Sequence, residues 1–405
     1  MWLALPTVSG MTTHTPDELA CALRTGIESD ISHGAVTPPI HVSSNFSFES
    51  FGVPRRFDYT RSGNPTRALF GDAVAALEGG AGATVVSTGM SAIALAVFAL
   101  TEAGDDIVVP HDAYGGSWRL FDSLAKRHDV ALHTLDLTQT DAAIARIREI
   151  APKLVWLETP SNPLLRITDL QALIAVAREV GATSVVDNTF LTPLGQCPFD
   201  FGADVVVHSA TKYLNGHSDV VAGVAVGRTA ETAELLDWWG NVLGLTGSPF
   251  DSYLALRGLR TLEFRFARHQ ESAQVVAEFL ALHDAVKRVH FPGLATHPGH
   301  ELAHRQQLGF GGMLSFELRG GEAAVRRFLD GLEYFSLAES LGGVESLIAH
   351  PATMTHASMT PQARANAGVS DELLRLSIGI EPVEALLGDL EAGIARAAAV
   401  FESTS

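Results

Sequence analysis

Lys212 stands in the segment His208-Ser209-Ala210-Thr211-Lys212-Tyr213-Leu214-Asn215-Gly216, directly after the apolar run Val205 to Val207. Lysine is scarce in this chain, with four (126, 153, 212 and 287) against 24 arginines. Burial lowers the pKa of an ammonium and makes the amine a nucleophile toward aldehydes, the chemistry of Schiff-base lysines. Taken alone, Lys212 also reads as a solvated residue in a strand-to-loop turn. Three other strand ends bear on the choice. Ser87-Thr88-Gly89-Met90-Ser91 follows the strand-like Ala83 to Val86 and opens directly onto a helix. Gly89 permits a tight turn, and N–H groups at a helix start stabilise a phosphate, although a plain strand-to-helix turn has the same pattern. Asp187 closes the strand Ser184 to Val186, either as a turn or cap residue or as a carboxylate that keeps a pyridine nitrogen protonated. Tyr114 also follows a strand and reads as a core aromatic or as a ring that stacks on a flat ligand. Ser209 and Thr211 flank the lysine with hydroxyls suited to a phosphate. Amine, carboxylate, phosphate turn and aromatic face together fit pyridoxal phosphate.

Those residues need a sheet whose strands end at one edge. From Thr66 to Gly223 the chain alternates helical and strand patterns. Strands are expected at 83–86, 106–109, 154–157, 184–186 and 203–207, and helices at 91–100, 142–150 and 170–180. Short all-apolar strands imply a mostly parallel α/β sheet with helices on both faces, which gathers ligands at the carboxyl ends of its strands. Residues 1–62 read as an extended N-terminal arm that contacts a neighbouring subunit, 63–260 as the cofactor-binding α/β domain and 261–405 as a smaller C-terminal α+β domain. One long helical stretch is expected from Phe250 to Leu282, a strand at 313–318, a helix at 322–332 and a closing helix at 382–401.

A net charge of −18 argues against nucleic acid and anionic membranes as partners, so anionic ligands must be held by local arginines or helix starts. The two cysteines, Cys21 and Cys197, support neither a disulfide framework nor a thiolate zinc site, and a reducing cytoplasm is the expected location. No apolar run reaches membrane-spanning length, and residues 1–10 lack the basic start of a signal peptide, with Met11 an alternative first residue. No Walker pattern occurs, and Gly80 and Gly82 precede their strand, against the usual nucleotide-binding loops.

The segments Tyr59-Thr60-Arg61-Ser62-Gly63-Asn64-Pro65-Thr66, Ser87 to Ala92, Glu158-Thr159-Pro160-Ser161-Asn162-Pro163, Val186 to Thr189 and the Lys212 run resemble the Cys/Met-metabolism family of pyridoxal-phosphate enzymes from about Thr25 to Ala399. The resemblance implies the fold type I of PLP-dependent transferases. It also implies that Lys212 holds the cofactor aldehyde and carries protons, with Asp187 at the ring nitrogen and Tyr114 on the ring face and in the proton traffic. Gly89, Met90, Thr189, Ser209 and Thr211 would complete the cofactor site, joined by Tyr59 and Arg61 of a neighbouring subunit. Arg375 would grip the substrate carboxylate, assisted by Asn162 and Ser340; without the family it reads equally as a core-edge arginine. Trp238 to Asn241, Phe250 to Tyr253 and Leu337 to Ser346 are most similar to members that replace the γ-acyl group of an O-acyl-homoserine, preferably succinyl, with cysteine. Related γ-lyases and O-acyl-homoserine sulfhydrylases share much of this. Glu339 occupies the position where γ-acting members are acidic and β-lyases tend to be aromatic, and it is assigned to the incoming amino group. Ser62 departs from the arginine of the nearest γ-acting members. A homotetramer built as a dimer of active dimers is implied.

His300-Glu301-Leu302-Ala303-His304, with His297 nearby, matches the zinc-hydrolase pattern H-E-x-x-H. The family resemblance runs through this region without a metal, so no metal is expected. His208, His217, His350 and His356 are acid-base candidates near the site motifs, with hydrogen-bonded structural histidines as the other reading.

Overall fold

The computed structural model describes residues 14–355, 364 and 367–401; residues 1–13, Met11 among them, and His356 lie outside these. Among the described residues, β1 (Gly82–Val86), β2 (Asp106–Pro110), β3 (Ala131–Leu135), β4 (Leu154–Glu158), β5 (Thr183–Asp187), β6 (Val205–Ser209) and β7 (Gly223–Gly227) form one sheet in the order β1-β7-β6-β5-β4-β2-β3. Pairing is parallel from β6 to β3, while β7 runs antiparallel to both β1 and β6. The helices are α1 (Pro16–Leu23), α2 (Pro65–Glu78), α3 (Gly89–Leu100), α4 (Gly115–Arg127), α5 (Thr140–Ile150), α6 (Leu170–Glu179), the single turn α7 (Thr192–Gly195), α8 (Ala230–Leu243), α9 (Pro249–Leu259), α10 (Leu262–Ala281), α11 (His300–Gln306), α12 (Gly321–Leu329) and α13 (Val383–Phe401). A second sheet, β10-β11-β12-β9-β8, is made of β8 (Val286–His290), β9 (Met313–Leu318), β10 (Ser336–Leu337), β11 (Leu347–Ala349) and β12 (Leu373–Ser377), antiparallel except between β10 and β11.

Strand side chains alternate between two apolar layers because successive residues point to opposite faces. Trp156, Val185, Val205 and Val207 pack with Ile93 and Leu95 of α3. On the other face Val206 packs with Phe70 of α2, while Val155, Leu157 and Val186 pack with Ile147 of α5 and Leu173 of α6. Removing each such large apolar side chain from water stabilises the fold by about 1.5–3 kcal/mol. Glu158, Asp187 and Ser209 continue the first alternation and therefore share the face of α3, whereas Asn188 and His208 continue the second. Those two side chains meet Glu78 at the end of α2, which accepts hydrogen bonds from Asn188 Nδ2 (2.8 Å) and His208 Nε2 (2.6 Å).

The expected strands and helices of the large sheet are present. Its edge strand β3, the antiparallel β7 and helices α4 and α8 add to them. The arm contains α1, whose start is a capping box: Thr15 receives the Glu18 N–H and the Glu18 carboxylate receives the Thr15 N–H. The stretch from Phe250 to Leu282 is two helices that divide at Arg260 and Thr261. The Arg265 guanidinium causes the division to be stable, donating to Gly258 O (2.8 Å), Thr261 Oγ1 (3.0 Å) and Tyr213 O (2.9 Å), the last directly after Lys212. Among the described residues no helix is long and apolar enough to cross a membrane.

Asp389 of α13 accepts the backbone N–H groups of Glu333, Tyr334 and Phe335 and so fixes the turn that leads into β10. Asp389→Ala strands those donors and is expected to cost about 2 kcal/mol, read as a lower urea midpoint with an unchanged slope.

Candidate active site

The carboxyl ends of β4, β5 and β6 and the start of α3 open onto a cavity of about 490 Å³. It is lined by Gly89, Met90, Tyr114, Asn162, Asp187, Thr189, Ser209, Thr211, Lys212, Glu339, Ser340 and Arg375. Every residue named from the sequence for the cofactor or the substrate, except Tyr59 and Arg61, thus meets in one place within a single chain. Tyr59 is exposed, and Arg61 lies near its ring while donating to the Asn241 carbonyl oxygen (2.7 Å).

Lys212 is partly buried and donates to Ser340 Oγ (2.7 Å). Burial, and secondarily Arg375, push its amine down to about 8, while Glu339 acts in the opposite sense. Arg375 reaches the cavity from β12, donating to Asn162 Oδ1 (3.0 Å) and Ser340 O (2.8 Å). Its buried Nε finds no acceptor among the described residues, which leaves a donor for a carboxylate. Ser340 takes a positive φ of 85°, so that its hydroxyl meets Lys212 while its carbonyl meets Arg375.

Asp187 Oδ1 accepts the Thr189 N–H (3.0 Å), and burial raises the carboxyl above its ordinary range in a cavity that supplies it no bonded cation. A protonated ring nitrogen would meet that need. At the other end the Thr88 hydroxyl takes the Ser91 N–H (2.9 Å), leaving the N–H groups of Gly89 and Met90 at the helix start for an anion. A Cβ at Gly89 would come within 2.6 Å of Ser209 Cβ, and one at Gly223 within 2.1 Å of Thr88 O, so this cradle demands glycine at both positions. Thr189 Oγ1 accepts the Ser209 N–H (2.9 Å), and the Thr211 hydroxyl is held by the Ala222 backbone (3.1 and 3.2 Å). Anion cradle, buried carboxylate and depressed lysine fit a phosphorylated pyridine aldehyde.

Sequence reasoning missed Glu158 and Arg119, which also line the cavity. Glu158 was visible as the polar end of an apolar strand; Arg119 sits on α4, a helix the apolar pattern does not announce. Of the candidate histidines, His208 is among the lining residues and donates from Nε2 to Glu78 (2.6 Å), whereas His217 donates to Asn215 O (2.7 Å) and His350 bonds Thr353 Oγ1 (2.9 Å) and Asp371 O (3.1 Å). His300 Nδ1 donates to Pro292 O (2.7 Å), and among the described residues no three His, Cys, Asp or Glu side chains are grouped to hold a metal.

The family model for the Cys/Met metabolism PLP-dependent enzyme matches residues 20–395. A cystathionine gamma-synthase of Escherichia coli (strain K12) is 54% identical over 383 residues, 95% of this chain and 99% of that protein. A cystathionine beta-lyase of Lactococcus lactis is 45% identical, over 92% of this chain and 97% of its own. The cystathionine gamma synthase of Xanthomonas oryzae pv. oryzae, solved in complex with cystathionine, is 64% identical with a TM-score of 0.93, covering 96% of this chain and 100% of that one.

An amine near 8 is half neutral at that pH, so modification of Lys212 in cofactor-free protein by an acylating reagent is expected to rise about tenfold per pH unit below 8 and to level above it. Mass spectrometry of the Lys212 peptide, with the exposed Lys126, Lys153 and Lys287 as internal references, measures this.

Proposed function

The chain belongs to the Cys/Met metabolism PLP-dependent enzyme family, and from that premise we propose that it joins an O-acyl-L-homoserine to L-cysteine by γ-replacement, releasing the acid and giving L-cystathionine. The observation that carries this reading is the meeting of Lys212, Ser340 and Arg375 in one cavity, with the buried Arg375 Nε left without an acceptor among the described residues. Two independent parts of the chain are needed to make it.

Pyridoxal phosphate, when bound, supplies an aldehyde and a protonated ring that takes up electron density released at the substrate Cα. The chain's residues do the rest. Gly89, Met90, Ser209 and Thr211 would hold the phosphate end, with Thr189 fixing Ser209, and Asp187 would keep the ring nitrogen charged. Arg375 takes the α-carboxylate through paired N–H groups, with Asn162 and Ser340 holding the guanidinium in place. Lys212, once free of the cofactor, is a base positioned to take the proton from Cα and then from Cβ, and Tyr114 shares that traffic. Once the γ-acyloxy group has left as the free carboxylate, the cysteine thiolate would add at Cγ, and the two protons taken from Cα and Cβ would be returned to those carbons to give cystathionine. Glu339, on the cavity wall, receives the amino group of the incoming cysteine and supports γ- over β-chemistry. Arg119 places a second guanidinium on that wall, suited to the free carboxylate of a succinyl ester.

Tyr59 and Arg61 serve the cavity of a neighbouring copy in this reading, which makes a dimer the active unit; the family resemblance implies that two such dimers associate. The exposed Phe48, Phe51 and Val53 of the same arm support its burial against another subunit. Unpaired Cys21 and Cys197 are consistent with residence in the cytoplasm.

O-succinyl-L-homoserine with cysteine is expected to yield cystathionine faster than the ester alone yields 2-oxobutyrate; cystathionine consumed faster than the ester would instead make the protein a γ-lyase. Lys212→Ala is expected to lower turnover by about 10³-fold or more. Arg375→Leu is expected to lower kcat/KM by about 10²-fold, since two charge-assisted bonds at about 1.5 kcal/mol each are lost. Steady-state assays of the two variants against wild type check both.

A further inference from the structure

Glu158 has no role in the reaction as derived above, yet it is almost completely buried at the mouth of the large sheet and lines the same cavity. Its two oxygens are committed to N–H donors. Oε2 accepts the backbone N–H of Tyr114 (2.7 Å), and Oε1 accepts the indole N–H of Trp156 (3.0 Å). Tyr114 is the residue from which α4 starts, and no side chain caps that helix start. The bond from its N–H to Glu158 therefore anchors the end of α4 that carries the ring, tying it across to β4.

The charges around Glu158 are unusual for a buried carboxyl. Glu158 on β4 is the direct register partner of Asp187 on β5, so both side chains leave the sheet on the same face. Asp112, in the loop after β2, adds a third carboxylate, which is itself held by Arg166 Nη1 (3.0 Å) and Ser161 Oγ (2.8 Å). Lys212 and Arg375 line the same cavity but direct their hydrogen bonds to Ser340 and Asn162. Among the described residues no cation bonds to Glu158. Two buried carboxyls side by side with no counter-ion do not both ionise readily. Burial first, and Asp187 second, push Glu158 up to about 8.

The cofactor reading above places a protonated ring nitrogen at Asp187, which is the cation this pair lacks. On that reading we propose that Glu158 is a positioning residue of the cofactor site: it fixes Tyr114 through the backbone N–H and gives up a proton to solvent when the cationic ring is seated beside Asp187. The balance is simple. One Glu158 O–H bond breaks, the proton goes to water, and the carboxylate remains with its two N–H donors. The sign follows from linkage. Below about pH 8 the side chain is neutral before the cofactor arrives, so binding releases a proton and this contribution to affinity grows as pH rises. Above about pH 8 the group is already ionised and the contribution is flat.

The test titrates cofactor-free protein with pyridoxal 5'-phosphate by calorimetry at pH 7 in buffers of different ionisation enthalpy, which counts protons released per site. Protons from the Lys212 amine and from the cofactor itself are common to all the proteins compared. Glu158→Gln is expected to release about one proton fewer than wild type. Glu158→Asp keeps the acid but shortens its reach to Tyr114; it is expected to retain the release and to weaken the circular dichroism of the bound cofactor's visible band about twofold or more, as the ring loses its fixed face. Equal proton counts for wild type and Glu158→Gln would overturn the proposal. So would an unchanged dichroism in Glu158→Asp, a readout that stands even where Glu158→Gln does not fold. A wild-type protein with no visible cofactor band would remove the cofactor reading itself, and the proposal with it.

Discussion

The register of β4, β5 and β6 is the constraint on which the site depends. Parallel pairing sets Glu158 against Asp187 and Asp187 against Val207, so β4 and β5 end level and β6 runs on two residues to Ser209 at the same edge. The period of two then decides which side chains fall on which face: Glu158, Asp187 and Ser209 on the side of α3, Asn188 and His208 on the side of α2. A slip of one residue in β5 would turn Asp187 away from the cavity and bring Asn188 into it. Glu78 resists such a slip from below, since one buried carboxyl oxygen receives both Asn188 and His208 and thereby ties the ends of two neighbouring strands to α2.

Charge reaches the cavity from several elements. The large sheet contributes Glu158 and Asp187 at its centre, Lys212 comes from the loop after β6, Arg375 from β12 of the second sheet, Arg119 from α4 and Glu339 from the segment after β10. Arg375 and Lys212 are neighbours of like sign, which depresses the lysine beyond what burial alone does. Asp187 and Glu158 are register partners, and burial together with that proximity raises the Glu158 carboxyl. A ligand with an anionic carboxylate at one end and a cationic ring at the other relieves both pairs at once. The protein thus holds unfavourable electrostatics in the free site that complementary charge on a ligand converts into affinity and orientation.

Much of the large sheet was legible because buried parallel strands are short, apolar and β-branched, as in Val205-Val206-Val207. The elements that escaped lack that signature. β3 is an edge strand with His133 and Thr134 in its middle, and β7 is Gly223 to Gly227, too small in its side chains to stand out. The break between α9 and α10 carries no proline; it is held by Arg265 reaching back to carbonyls, an interaction between residues that periodicity does not register. The site shows the same division. Lys212, Asp187, Gly89 and Tyr114 follow strands and could be read from position. Arg375 and Ser340 belong to the second sheet and its loops, and only the family resemblance brought them to the site. Glu158 lay in a quoted motif without a role, because its meaning comes from a neighbour on another strand.

Ser340 shows why the second sheet must close on the first with little tolerance. Its backbone sits in the left-handed region at φ 85°, a conformation that costs a residue with a side chain about 1–3 kcal/mol. The neighbouring Gly342 donates to Ser377 Oγ (2.8 Å) at the end of β12, and a Cβ on Gly342 would come within 2.8 Å of the Tyr213 backbone nitrogen. The segment is therefore clamped between the strand that carries Arg375 and the turn that carries Lys212. From that clamp one residue serves both cations, its hydroxyl for the amine and its carbonyl for the guanidinium. A glycine at 340 would relax the backbone but leave Lys212 without a partner; an alanine would lose the partner and keep the strain. Serine at this position lets the side-chain oxygen and the carbonyl of one strained residue act on two different cations at the same moment.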